Sequence, residues 1–403
     1  MSATEVGSTS PGWWTKLKKG RSMRKFRKDR MAMAALGVIC VYLLVALSVV
    51  LGKPSKQDVF DRMGPDNVPG FWGAQDAEKR FDDAQFRLEQ IDKAAKNSKA
   101  VEMLAAFQLG GLRAAPGTPS EVLANIASST QLVDAVSAYD DLETDPAAAA
   151  LLSELEESVA SLFAAPTGFA GMIQSMRMSL GTDRQGRSIM FRSLYSTKVA
   201  VQIGIVAALF SVLLGTLLGA AAGYFGGWVD HLVVWLYSTF SSIPWIVLLV
   251  VLASMFRGTS YDGTLIPVYA AFCISFWISP CRVIRGEVMK LKELEYVQAA
   301  SAIGYGRMRI LLRHIIPNTA HLMFINFSLL FVGAIKAEVI LSFLGLGVKN
   351  EPSWGVMISQ AKAEVVNDFF WQIGSATFFM LVLVLAFNIL SDALQDAFDP
   401  KHV

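Results

Sequence analysis

The sequence predicts an all-α polytopic membrane protein with six transmembrane helices and a helical extracytoplasmic insertion between the first and second spans. Three observations carry this reading. Of 403 residues, 53% are apolar and only 17% charged, whereas a soluble globular chain carries about 25% charged residues. The apolar residues gather in runs of bilayer length, and a span needs about 20 of them. One long polar, Ala-rich stretch, residues 52–180, interrupts those runs. Together they argue against a soluble enzyme and against a disordered chain.

The first element is a cytoplasmic basic arm, residues 1–30. Residues 16–30 hold nine Lys/Arg against one acid, Asp29. Such charge beside a span marks the cytoplasmic side and attracts anionic lipid. With a net charge of only +2 over the chain, no nucleic acid partner is expected. Residues 31–51 are the first span, Met31–Leu51, uncharged for 21 residues. It reads as retained: the apolar run is long for a signal peptide, and no small-x-small site follows Leu51.

Residues 52–180 carry 11 basic and 19 acidic side chains and fall outside. Asp76–Phe107 and Ser120–Ala164 are rich in good helix formers. Leu152, Leu155, Val159 and Leu162 recur at helical spacing. Breakers stand between the segments at Gly110, Gly111, Pro116, Gly117 and Pro119. The acids Asp140, Asp141, Glu143 and Asp145 lack the Gly and closing Glu of an EF-hand loop, so calcium is not expected. Cys40, Cys273 and Cys281, with His231, His314, His321 and His402, show no metal-ligand spacing. No cofactor is expected.

Residues 181–403 form the main membrane domain, with spans at Val199–Val229, His231–Phe256, Gly263–Cys281, Asn318–Leu346 and Phe369–Ser391. Six spans place both termini in the cytoplasm. Residues 285–313, with six Lys/Arg against three Glu, fall on the same side. Gly215, Gly219 and Gly223 recur every four residues and suit close helix packing within the chain. Charges inside spans are functional suspects, and Lys336 and Glu338 qualify. Lys336 stands 18 residues past Asn318, roughly 27 Å along a helix. That places both charges toward the far membrane surface, and two positions apart they point to different faces.

The most informative stretch is the loop 285–317, between the fourth and fifth spans. Leu294, Val297, Ala300 and Ser301 share one narrow helical face, and Gly304 offers a stop without a Cβ penalty. Gly306 gives a second flexible point. An amphipathic piece, Met308–Ile316, follows, and Pro317 opens the next span. A short helix with a small-residue face suits a groove on another protein. An interfacial helix lying on lipid fits the same shape.

At this point the residues resemble a known family. Gln298-Ala299-Ala300, Gly304 and Ile316-Pro317 are similar to the "EAA" loop of binding-protein-dependent ABC importer permeases, with Gln in place of the usual Glu and Glu295 one turn earlier. Gly181-Thr-Asp-Arg-Gln-Gly-Arg187 resembles the G-T-D-x-x-G-R signature of the C-type subunit of dipeptide/oligopeptide importers, with Ser188 replacing the Asp that usually follows. Ser342-Phe-Leu-Gly-Leu-Gly347 with Pro352-Ser-Trp-Gly355, Gly226-Gly-Trp-Val-Asp230, Ile243-Pro244 and the ending Asp399-Pro-Lys401 fit the same pattern. Trp235 and Ser238 depart from it, as does the insertion.

The resemblance implies a permease subunit of a bacterial inner membrane ABC importer, translocating peptides or similar small solutes by ATP-driven alternating access. It implies docking onto an ATPase by Glu295, Gln298, Ala299, Ala300, Gly304 and Pro317. It implies an outer gate or subunit contact at Glu338, Gly345, Gly347 and Trp354. The partners it implies are a homologous B-type permease, one or two ATP-binding subunits and an extracytoplasmic substrate-binding protein. No GxxxxGK[ST] phosphate loop is present, so ATP hydrolysis is assigned to separate subunits and the chain is not an enzyme. Three alternatives stay open: a non-peptide substrate such as nickel, a membrane-anchored scaffold or sensor acting through 52–180, and a secondary transporter. The last predicts buried acids or broken helices near the membrane midplane and inverted repeats, and neither is evident in the sequence.

Overall fold

In a computed structural model of the chain, the structure describes residues 29–64, 68–70, 75–97, 99–109, 112–164 and 167–398. All but the last two residues of the basic arm lie outside that set, as do the breakers Gly110 and Gly111 and the ending Asp399-Pro-Lys401.

The chain opens with α1 (Arg30–Val50) and a short α2 (Lys56–Phe60). The insertion then folds as α3 (Ala77–Ala95), α4 (Ala100–Ala106), β1 (Gln108–Leu109), β2 (Leu112–Ala114), α5 (Pro119–Val136), α6 (Pro146–Ser161) and β3 (Phe163–Ala164). Each of the two helix-rich segments is divided, Asp76–Phe107 between α3 and α4 and Ser120–Ala164 between α5 and α6. Asp145 caps α6 by accepting from Ala147 N–H, and Pro146 takes the first turn, where its missing N–H costs little. Thr118 and Glu121 form a reciprocal capping box at α5. The three strands form an antiparallel sheet in the order β1-β2-β3, with Leu109 opposite Leu112 and Ala114 opposite Phe163. Strands of two or three residues are too short to show a period of two, which is why the stretch reads as helix. Leu88, Ile91, Val122, Ile126, Leu155, Val159 and Phe163 make the insertion's core. Arg80 clamps Glu156 with two bonds of 2.9 and 2.5 Å.

After α7 (Gly168–Met178) come α8 (Ile189–Phe225), α9 (Gly227–Ser241), α10 (Trp245–Ser254), α11 (Ile266–Ser275) and α12 (Ile278–Leu291). Then follow α13 (Glu295–Ala302), α14 (Arg307–Ile310), one π turn (Leu311–Ile315), one 3-10 turn (Ile316–Thr319), α15 (Ala320–Phe343), α16 (Trp354–Val365) and α17 (Trp371–Phe398). Among the described residues, five rods are long and apolar enough to cross a membrane: Arg30–Val50, Ile189–Phe225, Ile266–Leu291, Arg307–Phe343 and Trp371–Ala397. The bent pair α9–α10 makes a sixth.

Sequence expectations change here at two places in the chain. His231–Phe256 is not one helix: α9 and α10 meet at 86°. Pro244, extended at φ −53° and ψ 126°, precedes α10 and cannot continue the helix of α9. A broken helix is therefore present after all. The amphipathic piece at Met308–Ile316 is not a separate surface element, because it runs through the π and 3-10 turns into the rod Arg307–Phe343. Pro317 sits in the 3-10 turn rather than opening the span.

The chain forms two compact units. One comprises residues 45–199 and 351–379; the other comprises the described parts of 1–44, 200–350 and 380–403. The insertion thus shares a unit with residues 181–199 and with the loop and helix at 351–379. Lys79 Nζ, at the start of α3, stands 4.5 Å from the Phe369 ring centre. In the other unit, the glycine stripe of α8 meets the 277–285 segment at very short range. A Cβ on Gly215, Gly219 or Gly223 would lie 2.6 Å from the Trp277 carbonyl oxygen, 2.4 Å from that of Cys281 or 2.8 Å from that of Arg285. The stripe therefore packs against its own chain, and helices in lipid associate through such close van der Waals contact.

Candidate functional site

The loop read as a docking element is built in three steps. Leu294, extended at ψ 140°, starts α13. Val297 and Ala300, 3% and 6% exposed, pack against Ile284 and Val288 of α12 and Ile310, Leu311 and Ile315 beyond. Burying the valine contributes about 1.5 kcal/mol. The helix then stops at Gly304, φ +90°. Tyr305 N–H bonds the Ala300 carbonyl at 3.1 Å, and Gly304 N–H bonds that of Ser301 at 3.0 Å. These two bonds are a Schellman cap, which requires the left-handed residue that glycine supplies. Gly306, φ −64°, is an ordinary residue before α14 rather than a second flexible point.

The remaining side chains face outward. Glu295, Gln298, Ala299, Gly304 and Pro317 are exposed, as are Leu294 and Ser301, which were expected on the buried face. Ala300 is the member of the predicted docking set that is turned inward. Gln298 Nε2 donates to the Glu293 carbonyl at 3.1 Å, and Asn318 Nδ2 donates to Tyr296 Oη at 2.8 Å. Ile303 (77%), Met308 (58%) and Leu312 (55%) lie open beside Arg307, Arg309 and Arg313. The surface is a small-residue helix ringed by apolar and basic side chains. Behind it, α12 is tied to α9 by Arg285, whose Nε and Nη2 donate to Asp230 at 2.5 and 2.7 Å.

In the same unit, Glu338 is 3% exposed and accepts from Ser342 Oγ at 2.6 Å, so it does not snorkel; Lys336 is exposed. Gly345, φ +74°, ends α15 with the same cap as α13: Leu346 N–H to the Leu341 carbonyl, Gly345 N–H to that of Ser342. A Cβ on Gly347 would fall 1.9 Å from Ser342 Oγ. These residues therefore first serve the end of their own helix.

The other unit contains a polar network that sequence reasoning missed. Asp183, 1% exposed, accepts from Arg187 Nε and Nη2 at 2.8 and 2.7 Å, from Arg192 Nη1, and from the backbone N–H groups of Gln185 and Arg187. Arg192 Nη2 also donates to Gln360 Oε1 at 2.6 Å. Glu364, 1% exposed, accepts from Arg184 N–H at 3.1 Å. Burial pushes the Asp183 carboxyl up, but the charges of Arg192 and Arg187 outweigh it and hold the carboxyl below its ordinary range. Burial of Glu364 prevails and raises its carboxyl instead.

The glycines of the Gly181–Arg187 motif are required by space as well as conformation. A Cβ on Gly181 (φ +76°) or Gly186 (φ +67°) would lie 2.1 Å from the carbonyl oxygen of Val68 or Gly64. Thr182 Oγ1 accepts from Val68 N–H at 2.9 Å. Trp354, 1% exposed, donates Nε1–H to the Ser193 carbonyl at 3.1 Å. Trp354 is thus buried within its own chain and lies in a different unit from Glu338, Gly345 and Gly347.

The chain is similar in sequence to known proteins. A model of the family described as "Binding-protein-dependent transport system inner membrane component" matches residues 215–402. The dipeptide transport system permease protein DppC of Bacillus subtilis is 35% identical over 222 residues, covering 55% of this chain and 68% of that one. The chain belongs to this family of importer permeases. The oligopeptide transport system permease protein OppC of Haemophilus influenzae is 35% identical over 224 residues, 55% of this chain and 70% of the other. The glutathione transport system permease protein GsiD of Pectobacterium atrosepticum is 34% identical over 223 residues, 55% and 72%. The permease is a multi-pass membrane subunit of an ABC importer, and a transport subunit rather than an enzyme. Its family match begins past the insertion.

Proposed function

We propose that this permease imports peptides or peptide-like solutes, the cargo named for the dipeptide, oligopeptide and glutathione permeases it resembles. It pairs with a homologous B-type permease. One or two ATP-binding subunits dock on the cytoplasmic loop, a substrate-binding protein delivers solute from outside, and both termini are cytoplasmic. ATP-driven closure moves the docking helix, and alternating access follows.

The observation that carries this reading is the construction of α13. Its Val297–Ala300 face is buried against α12, its Glu295–Gln298–Ala299 face is open, and a glycine cap fixes where it ends. Force applied to the open face passes through Ile284 and Val288 to α12, and from α12 to the glycine stripe of α8 and to Asp230 of α9. Glu295, Gln298, Ala299 and Gly304 are the contact. Ala300 seats the helix, and Pro317 lies in the 3-10 turn within the moving rod. Glu338, Gly345, Gly347 and Trp354 are the residues proposed for an outer gate or a subunit contact.

The test is affinity purification of the tagged chain from its native membranes in mild detergent, with mass spectrometry, beside a Gly304→Asp variant. Co-purification of an ATPase and a second permease, with selective loss of the ATPase from the variant, is expected. A well-folded chain that brings down neither partner would sink the reading.

A further inference from the structure

We propose that α7 is an in-plane membrane helix whose apolar face rests among phospholipid acyl chains where α8 and α17 begin. The helix, Gly168–Met178, exposes Phe169 (72%), Met172 (61%), Ile173 (38%) and Met176 (40%). At 3.6 residues per turn these four fall within about 100° of arc, a single apolar stripe. The one charged side chain faces the protein instead. Arg177, the only charged residue of α7, is 5% exposed and donates Nη2 to the Asp58 carbonyl at 2.6 Å. Ser188 Oγ donates to the Arg177 carbonyl at 2.6 Å, one residue before α8. A helix on a water-facing surface shows the opposite arrangement, polar residues out and apolar residues in.

A second observation points to lipid. Leu180, two residues beyond α7, lines a cavity of about 680 Å³. Its other walls are Met190 in the first turn of α8 and residues from Phe370 to Phe379 around the start of α17. Phe370 (53%) and Phe378 (61%) are themselves exposed. The apolar surface of α7 thus continues through Leu180 onto the flanks of two rods long enough to cross the bilayer. The insertion is then not wholly clear of the membrane: its last helix lies in the interface and steadies the turn that carries Asp183. The exposed stripe has no charge, so its affinity comes from apolar burial and does not depend on anionic headgroups.

The test uses the full chain with Cys40, Cys273 and Cys281 replaced by alanine. Single cysteines at Phe169, Met172, Ile173, Met176 and, just past the edge of the stripe, the exposed Ser175 carry a nitroxide label. Collision with oxygen, which enters lipid, and with a water-soluble nickel chelate is measured in phosphatidylcholine nanodiscs. The oxygen-to-nickel ratio is expected to be several-fold higher at the four stripe positions than at Ser175. It should be unchanged when phosphatidylglycerol is added. Equal nickel access at all five positions overturns the proposal, as does shielding of the stripe from both reagents, which would mean a protein covers it. In a control, Met172→Glu with Ile173→Glu should move the label at Met176 toward the nickel-accessible range; no movement also counts against it.

Discussion

The helix ending at Gly304 and the turn around Asp183 are both short polar segments that lead into an apolar rod, yet they are built in opposite ways. The first is held by two buried side chains and a backbone cap, and most of its surface is left open. The second converges five donor bonds on one buried carboxylate. A buried charge persists only when paired and hydrogen-bonded, so the Asp183 network holds one shape against alternatives. An exposed small-residue helix holds little by itself. Within one molecule, the first leaves its face open and the second closes on a single charge.

The largest expected effect breaks the second region. Asp183→Ala leaves the guanidinium groups of Arg187 and Arg192 buried without their carboxylate, a loss of about 3–5 kcal/mol. Thermal unfolding in detergent should show a large fall, while Glu295→Ala should melt like the parent. Equal melting of Asp183→Ala and the parent would remove the contrast between the regions.

The same substitution made in both regions sharpens it. At Gly304 an added Cβ meets nothing within 4 Å, so Gly304→Ala costs only the left-handed conformation, about 1 kcal/mol. At Gly186 the Cβ also strikes the Gly64 carbonyl. Gly186→Ala should therefore be clearly the less stable of the two, whereas Gly304→Ala should be the one that weakens ATPase retention. A neighbouring pair separates seat from contact in the same way. Ala300→Leu overpacks the face against α12, costing about 1–3 kcal/mol. Ala299→Leu should leave the melting curve unmoved and still reduce ATPase co-purification.

The legibility of the two regions also differs. The helix α13 was readable because its parts are consecutive: Val297 and Ala300 at helical spacing, then Gly304. Leu294 and Ser301 were misplaced because a helix of eight residues buries a face only two residues wide. The Gly181–Arg187 signature was readable as a pattern but not as a structure, since its partners at Val68, Gln360 and Glu364 lie far away in the chain. One clue was present. Trp354, Met357, Ala361 and Glu364 share a buried helical stripe, so an acid occupies an apolar face of α16. The five rods and the apolar run of the bent pair were visible from composition, but the bend at Pro244 and the three-stranded sheet were not. A proline motif does not state an angle, and two-residue strands carry no periodicity.

The smallest expected effect probes the charge balance inside the network. Glu364 is raised by burial, and its second oxygen is buried without a partner among the described residues. A carboxyl raised in the folded state is a cost while ionised, and the cost fades as pH falls through its folded value. Asp183 is depressed, so its contribution is present above the unfolded value and is lost only as pH falls through the lower folded one. On acidification from pH 8, Glu364 should take up its proton first, and stability should hold or rise before Asp183 gives way. Glu364→Gln removes that first step. It should melt slightly above the parent at pH 8, by less than about 1 kcal/mol, with the gap closing toward pH 5. A gap that widens on acidification would show that Glu364 works as a charged partner of Arg192 and Arg184, and that the network relies on two carboxylates rather than one.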